Sequence, residues 1–232
     1  MAVLRVYAKD GTDLTAGAPI TSPVVLGPIE YIGMGRYLTC NTDNVQELEL
    51  IGTTLTHIRT PYRFVNAGEE GVGLACQRHA FADDCPFSTG GMLFISMQDV
   101  VSAAATFTVR VYDMLATRLM HTQSIGPITP GPICTNGSWF YLGFTLAGTP
   151  RLAVYDVSGL TFSLTAIWTA PTFIEDMTFD GHHLWSIEGN NAIRREAIGE
   201  DLPDIVGGFA LAGATHAGIC TDGQNLIVYS DT

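Results

Sequence analysis

A short pattern built around a glycine recurs five times along this chain, and its spacing constrains the fold more than any other feature. The glycines stand at positions 35, 91, 137, 181 and 223, so they are separated by 56, 46, 44 and 42 residues. If the 232-residue chain is closed into a circle, the gap from the last glycine back to the first is 44 residues. A ring whose last unit is completed by both chain ends predicts this match, whereas an open array of repeats does not.

Each of these glycines follows a small or polar residue in most units and precedes an aromatic or aliphatic run. The five occurrences are Met34-Gly35-Arg36-Tyr37-Leu38, Gly90-Gly91-Met92-Leu93-Phe94, Asn136-Gly137-Ser138-Trp139-Phe140, Asp180-Gly181-His182-His183-Leu184 and Asp222-Gly223-Gln224-Asn225-Leu226. A second alternating strand follows the pattern, as at 108–113 and 152–156, and a further strand ends near proline or glycine. Residues 3–11 have the sequence of the strand that is missing after 227–232.

Four short strands of period two, joined by Gly, Asn or Asp turns, predict one antiparallel sheet per repeat. A sheet this small cannot cover both of its faces, so neighbouring sheets must stack on it. The sequence therefore predicts an all-β fold, a five-bladed β-propeller with about 44 residues per blade. We expect a single domain over 1–232, closed by the N- and C-terminal strands in one blade. A jelly roll or two-sheet sandwich fits the same strand count and stays open as an alternative.

The runs at 178–189 and 219–229 carry the clearest form of the repeat. They resemble the Asp-Gly-x-x-Leu-Trp-Val repeats of quinoprotein-like and NHL-type β-propellers. The resemblance covers the first two strands of each unit and is clearest in three units. It implies the blade and no particular reaction, because such families include both enzymes and binding scaffolds.

The first interval is about 12 residues longer than the repeat, and the excess falls at about 66–85, which we predict to be an insertion loop on the surface. The loop contains a Cys-x-x-His pattern and a later Cys, which could bind zinc together with an aspartate, but the spacing is not a standard zinc pattern. A disulfide between the two cysteines is the other alternative. We predict no metal and no cofactor. The residues concerned are Cys76, His79, Asp83, Asp84 and Cys85.

Carboxylates lead into three of the predicted innermost strands, at Glu30, Asp84 (or Asp83) and Asp176 (or Glu175). Five-bladed glycosidases use carboxylates around the axis as acid and as base or nucleophile. Turns at the start of strands favour Asp and Glu in any case, and one modest insertion gives little material for a substrate cleft. A small glycoside-active enzyme is therefore the less favoured alternative, and we predict that the protein is not an enzyme.

Aromatic residues follow the glycine in three units, at Tyr37, Trp139 and Trp185. Equivalent aromatic positions in each blade are the pattern of a carbohydrate-binding, lectin-like propeller with one glycan site per blade. The second and fifth units break this pattern with Leu93 and Ile227. A lectin is accordingly the second functional alternative.

The chain has few charges: 15% of residues are charged, Lys9 is the one lysine, and the formal net charge is −12. Nucleic-acid binding needs a clustered basic face, so we expect no nucleic-acid partner. No apolar run approaches the ~18 residues of a membrane helix, and the N-terminus alternates like a strand rather than like a signal peptide. We therefore expect no membrane partner and synthesis in the cytoplasm.

Outer strands without lysine lack the charges that usually keep edge strands from pairing. This predicts a non-enzymatic interaction or structural module whose partners are other proteins of a larger assembly or further copies of the chain. A lysine-poor β protein rich in Thr, Gly and Ala is also typical of bacteriophage virion proteins. We therefore expect a phage capsid or tail component with a virion-associated location.

Overall fold

In the computed structural model the chain forms β-strands joined by turns. The structure describes residues 2–24, 26–41, 44–63, 69–77, 92–99, 107–113, 119–126, 129–157, 161–196, 204–212 and 215–231. Within these ranges no helix is long and apolar enough to cross a membrane.

Twenty strands are present in the described ranges, most of them five to eight residues long. In chain order they are β1 (Ala2–Ala8), β2 (Ile20–Ser22), β3 (Ile29–Gly33), β4 (Arg36–Cys40), β5 (Asn44–Ile51), β6 (Thr54–Arg63), β7 (Glu69–Gln77), β8 (Met92–Asp99), β9 (Phe107–Asp113), β10 (Leu119–Gly126), β11 (Thr129–Thr135), β12 (Trp139–Leu146), β13 (Thr149–Asp156), β14 (Ser163–Thr169), β15 (Asp176–Phe179), β16 (His183–Glu188), β17 (Asn191–Glu196), β18 (Ile205–Ala210), β19 (His216–Thr221) and β20 (Asn225–Asp231).

The strands form three four-stranded sheets and one eight-stranded sheet. The three small sheets are unit 2 (β7–β10), unit 3 (β11–β14) and unit 4 (β15–β18). The large sheet has the order β19-β20-β1-β2-β6-β5-β4-β3, and its two halves meet at a single parallel residue pair, Thr21 with Thr54. We call these halves unit 5 (β19, β20, β1, β2) and unit 1 (β3–β6).

The two ends of the chain meet inside unit 5. The N-terminal strand β1 pairs antiparallel with the C-terminal strand β20 over seven residue pairs, from Ala2 with Asp231 to Ala8 with Asn225. This is the pairing that the circular spacing of the glycines predicts. The first strands of the units also contact one another in the cyclic order β3, β7, β11, β15, β19 and back to β3.

The apolar core lies between the units rather than inside any one of them. Each of the five buried clusters draws residues from two consecutive units, and the five clusters together run once around the ring. The middle strands are therefore buried on both faces, as in β12, where Phe140, Tyr141 and Leu142 are all inaccessible to solvent. A single unit would expose both of these faces, so stacking on its neighbours is what removes them from water.

The repeated glycine has a local cause in the hairpin between the first two strands of a unit. Asp180 Oδ1 accepts hydrogen bonds from the N–H groups of His182 and His183 at 2.8 and 2.7 Å. Gly181, between Asp180 and His182, takes a positive φ, which is less favourable for a residue with a Cβ than for glycine. The same turn occurs in units 3 and 5, and the φ values of Gly137, Gly181 and Gly223 are 102°, 96° and 95°.

The predicted insertion loop at 66–85 is in part a strand. Residues Glu69–Gln77 form β7, the first strand of unit 2, and Leu74 and Ala75 in it are buried. The repeat glycine Gly91 and the rest of the predicted loop lie outside the described residues. Because β7 ends at Gln77, Asp83 and Asp84 follow the innermost strand of unit 2 and do not lead into it, which corrects that expectation.

Candidate functional site

The two described carboxylates proposed for catalysis, Glu30 and Asp176, are both buried. Asp176, in β15, accepts hydrogen bonds from the N–H of Ile219 at 2.8 Å and from the N–H of Met177 at 2.9 Å. Burial raises the pKa of Asp176 to about 8, although these two N–H donors act in the opposite direction. The carboxylate therefore joins the first strands of units 4 and 5. Asp84 lies outside the described residues.

A ring of carboxylates does not extend around the described inner strands. Counting back from each repeat glycine, the position of Glu30 and Asp176 is occupied by Pro132 in unit 3 and by Gly218 in unit 5. A Cβ at Gly218 would come within 2.3 Å of the Tyr229 ring, so this position has no room for a side chain. Among the described inner-strand residues at this repeat position, the carboxyl groups are those of Glu30 and Asp176, and both are buried.

The aromatic residues proposed for glycan binding do not share one environment. Tyr37 and Trp185 are 3% and 1% exposed, and both lie in the clusters between units, so neither ring offers a face to a ligand. Trp139 is half-buried and packs against the cluster between units 3 and 4.

Trp185 is held in place by the same aspartate that forms the repeat turn. Its Nε1 donates to Asp180 Oδ2 at 2.9 Å, and the ammonium group of Lys9 lies 2.8 Å from the same oxygen. Burial alone would raise the pKa of Asp180, but hydrogen bonds from Lys9, Trp185 and two backbone N–H groups lower it to about 2. The Asp-Gly-x-x-Leu-Trp sequence is thus a structural turn whose aspartate also fixes the buried indole.

Of the residues in the predicted insertion loop, the structure describes Cys76, which is half-buried in β7. His79, Asp83 and Cys85 lie outside the described residues, as does the proposed pairing of the two cysteines. In the ranges that the structure describes, no group of three or more His, Cys, Asp or Glu side chains is placed to hold a metal ion.

Cys134 and Cys220 occupy equivalent positions in the repeat, and both are buried in clusters between units. Burial raises the pKa of the Cys134 thiol well above its usual value, so its reactive thiolate form is disfavoured. These positions are part of the core.

Three outer strands carry no charged residue: β10 (sequence LMHTQSIG), β14 (SLTAIWT) and β18 (IVGGFA). Each is the last strand of its sheet within the described residues. These three strands and the segment that follows β14 contain large apolar side chains that are 37–57% exposed. They are Leu119, Met120, Leu164, Ile167, Phe173, Ile205 and Val206. The sequence predicted that outer strands contact other protein but did not single out these side chains as a site. Apolar residues on both faces of a fourth strand are the signal that would have identified them.

A mostly apolar cavity of about 270 Å³ opens between units 3 and 4, beside β14 and β18. We call it the rim pocket. Its lining residues come from both units, and they are Leu152, Trp168, Thr169, Ala170, Pro171, Ile174, Arg195, Asp204 and Ile205.

A buried polar cluster lies against the rim pocket. Arg195 Nη1 forms an ion pair with Glu188 and donates to Ser186 Oγ at 2.7 Å. Ser186 Oγ and Thr172 Oγ1 each donate to Glu188 at 2.8 Å. The arginine and glutamate side chains are each 5% exposed, so their charges are balanced within the protein.

No protein-family model matches the chain, and no curated protein matches it at a significant level. Among solved structures, a chain of a nidogen/laminin complex aligns with 98% of this chain and 85% of its own length, with a TM-score of 0.57 and 12% identity. A luciferin-regenerating enzyme aligns with 95% of this chain and 80% of its own, with a TM-score of 0.51 and 11% identity. At such identities the likeness shows the fold alone, which is an all-β, propeller-like fold.

Proposed function

We propose that this protein is a non-enzymatic interaction module, built as a five-bladed β-propeller, that works as a component of a larger protein assembly. The observation that carries the proposal is the set of three uncharged outer strands with exposed apolar side chains. The blade count follows if the two halves of the eight-stranded sheet are separate blades. In support, the two halves meet at one residue pair, and the apolar residues form five clusters, each between two consecutive units.

An uncharged edge strand presents unpaired N–H and C=O groups to any extended chain that approaches it. Covering a partly exposed Leu, Ile, Val or Phe side chain contributes about 1 kcal/mol, because full burial contributes about 1.5–3 kcal/mol. The outer strands of units 3 and 4 and the segment between them hold five such side chains, Leu164, Ile167, Phe173, Ile205 and Val206. Contact with another protein is the direct way to remove this surface from water.

The buried positions of the alternative site residues favour an interaction role over the other two functions. A glycan platform needs an exposed ring, but Tyr37 and Trp185 are core residues. A glycosidase needs two carboxyl groups that reach a substrate, but Glu30 and Asp176 are enclosed. One structure that this fold resembles is a nidogen/laminin complex.

As a more specific part of the proposal, the assembly is a bacteriophage capsid or tail. This part is supported by composition, with one lysine and 15% charged residues in 232. A surface of this kind is suited to permanent burial between subunits rather than to a free protein.

The proposal can be tested by affinity capture from the cells or particles that contain the protein, with quantification by mass spectrometry. The test variant is Leu164→Lys combined with Val206→Lys, which places a charge on β14 and on β18. Leu14→Lys is the matched control, because Leu14 is 56% exposed but lies in the connection between β1 and β2. We expect the wild-type protein and the control to retain the same stoichiometric partners, and the double variant to lose them.

The interaction function would be contradicted if the wild-type protein sediments as a monomer and captures no partner that the double variant does not also capture. Captured partners that are cellular rather than virion proteins would contradict the phage assignment alone.

A further inference from the structure

The rim pocket combines a mostly apolar lining with the guanidinium group of Arg195. Arg195 lines the pocket and is 95% buried, and Nη1 is the atom through which it bonds to Ser186 and Glu188. A guanidinium group has five N–H donors, and a group with an acceptor oxygen inside the pocket would be placed to accept a hydrogen bond from Arg195.

The charges around the pocket select against an acidic occupant. The Arg195 charge is already balanced by Glu188, so the remaining formal charge in the lining is the carboxylate of the exposed Asp204. The chain as a whole carries −12. A neutral carbonyl oxygen suits the guanidinium, and a basic side chain beside it suits Asp204, whereas a second copy of this acidic chain does not.

The size of the pocket and its position beside β14 also limit what can bind. At about 270 Å³ it is below the range of about 300–1,000 Å³ in which drug-sized ligands bind, so it suits one side chain rather than a cofactor. Trp168 and Thr169, at the end of β14, form one wall, and Ile205, at the start of β18, forms another. β14 contains neither glycine nor proline, whereas Gly207 and Gly208 interrupt β18, so β14 is the better edge for an added strand.

We propose that the rim pocket is the anchor site for an extended segment of a partner protein that adds a strand to the free edge of β14. One leucine or phenylalanine side chain of the segment fills the pocket, a backbone carbonyl accepts from Arg195, and a neighbouring Lys or Arg pairs with Asp204. Backbone pairing supplies affinity in such complexes, and the side-chain pocket supplies specificity. This inference rests on the proposed interaction function and names the partner chemistry.

The test is a selection of nine-residue peptides from a displayed random library against the purified full-length protein. Selected peptides are synthesised with blocked ends, and their affinities are measured by fluorescence anisotropy. We expect them to share one apolar anchor with a basic residue within two positions of it and to contain few acids. Ile205→Asp should weaken their binding about tenfold or more, because it removes an apolar wall of the pocket and places a carboxylate against the apolar anchor side chain.

Ile51→Asp is the matched control, because Ile51 is 60% exposed against 57% for Ile205 but lies at the far end of β5. It should bind the peptides as the wild type does. Ala170→Leu is a second test variant that fills the pocket from its own wall without changing the charge, and it should also weaken binding about tenfold or more. Thermal unfolding of each variant checks that the fold is retained.

Two results would overturn the inference while leaving the interaction function in place. In the first, peptides bind the wild type, Ile205→Asp and Ala170→Leu equally. In the second, no peptide is enriched although affinity capture recovers a partner. If neither peptides nor partners are found, the proposed function fails together with the inference.

Discussion

Asp176 gives the sharpest stability test of this structure, because its carboxyl group is buried between two inner strands and its pKa is raised to about 8. In the unfolded chain the pKa of the same group has its ordinary value near 3.9. The folded protein therefore binds this proton more tightly than the unfolded chain does. The contribution of the group to stability is largest below about pH 4 and is lost as the pH rises towards 8.

The magnitude follows from the difference between the two pKa values. Each pH unit between them corresponds to about 1.4 kcal/mol, so the contribution of Asp176 to stability should be about 4 kcal/mol smaller at pH 7 than below pH 4, because folding at pH 7 must take up a proton. Asp176→Asn has nearly the same shape and no charge. Its amide oxygen can replace one acceptor of the Ile219 and Met177 N–H groups, and the loss of the other acceptor costs about 1–3 kcal/mol at every pH.

The assay is urea unfolding of the wild type and of Asp176→Asn at pH values from 4 to 8. The stability of the variant minus that of the wild type should rise by about 1.4 kcal/mol per pH unit over this range, whatever its value at pH 4. Glu49→Gln removes a carboxyl group from a half-buried position on β5 and corrects for the general effect of reducing the net charge. A difference that stays constant from pH 4 to 8 would show that Asp176 has the same proton affinity in the folded and unfolded chains, and the reasoning would be refuted.

Three further predictions concern the turns and the closing unit. Gly181→Ala should lower the free energy of unfolding in urea by about 1 kcal/mol because Gly181 has a φ of 96°. Gly17→Ala, at an exposed position where an added Cβ has nothing within 4 Å, should change it little. Equal effects of the two substitutions would contradict the turn assignment. Trp185→Phe should lower the free energy of unfolding by about 1–3 kcal/mol because it removes the indole N–H that donates to the charged Asp180 carboxylate, and an unchanged unfolding midpoint would contradict that contact. His216 is buried, its ring nitrogens have no partner among the described residues, and burial lowers its pKa. His216→Leu should therefore raise the melting temperature and reduce the loss of stability as the pH falls below about 6.5. A lower melting temperature of the variant at pH 7 would contradict this prediction.

The fold could be predicted from the sequence wherever local chemistry repeats. The turns at Gly137, Gly181 and Gly223 depend on a few adjacent residues, so each leaves the same sequence pattern. The pairing of β1 with β20 followed from the even spacing of these turns. The sequence did not predict β7 because its glycines, Gly71 and Gly73, are typical of a loop. Gly73 is needed because a Cβ there would lie 2.9 Å from the carbonyl oxygen of Gly131 in β11.

The candidate site was harder to predict because it depends on which face of a strand meets a neighbour. With both faces of the middle strands buried, the period-two pattern does not distinguish core from surface, so Tyr37 and Trp185 were expected at a ligand site and lie in the core. The rim pocket brings Leu152 and Ile205 together from two different units. No local pattern in either strand records that contact.

Closure through β1 and β20 has a consequence for biosynthesis. β1 leaves the ribosome long before its partner strand β20, so the apolar residues Leu4 and Tyr7 have no sheet to join until units 1 to 4 have been translated. The other units can fold and stack in order while the ring stays open. The final event is then the capture of an early segment by a late one, and a nascent chain that waits with an unpaired strand is at its most vulnerable to pairing with another copy.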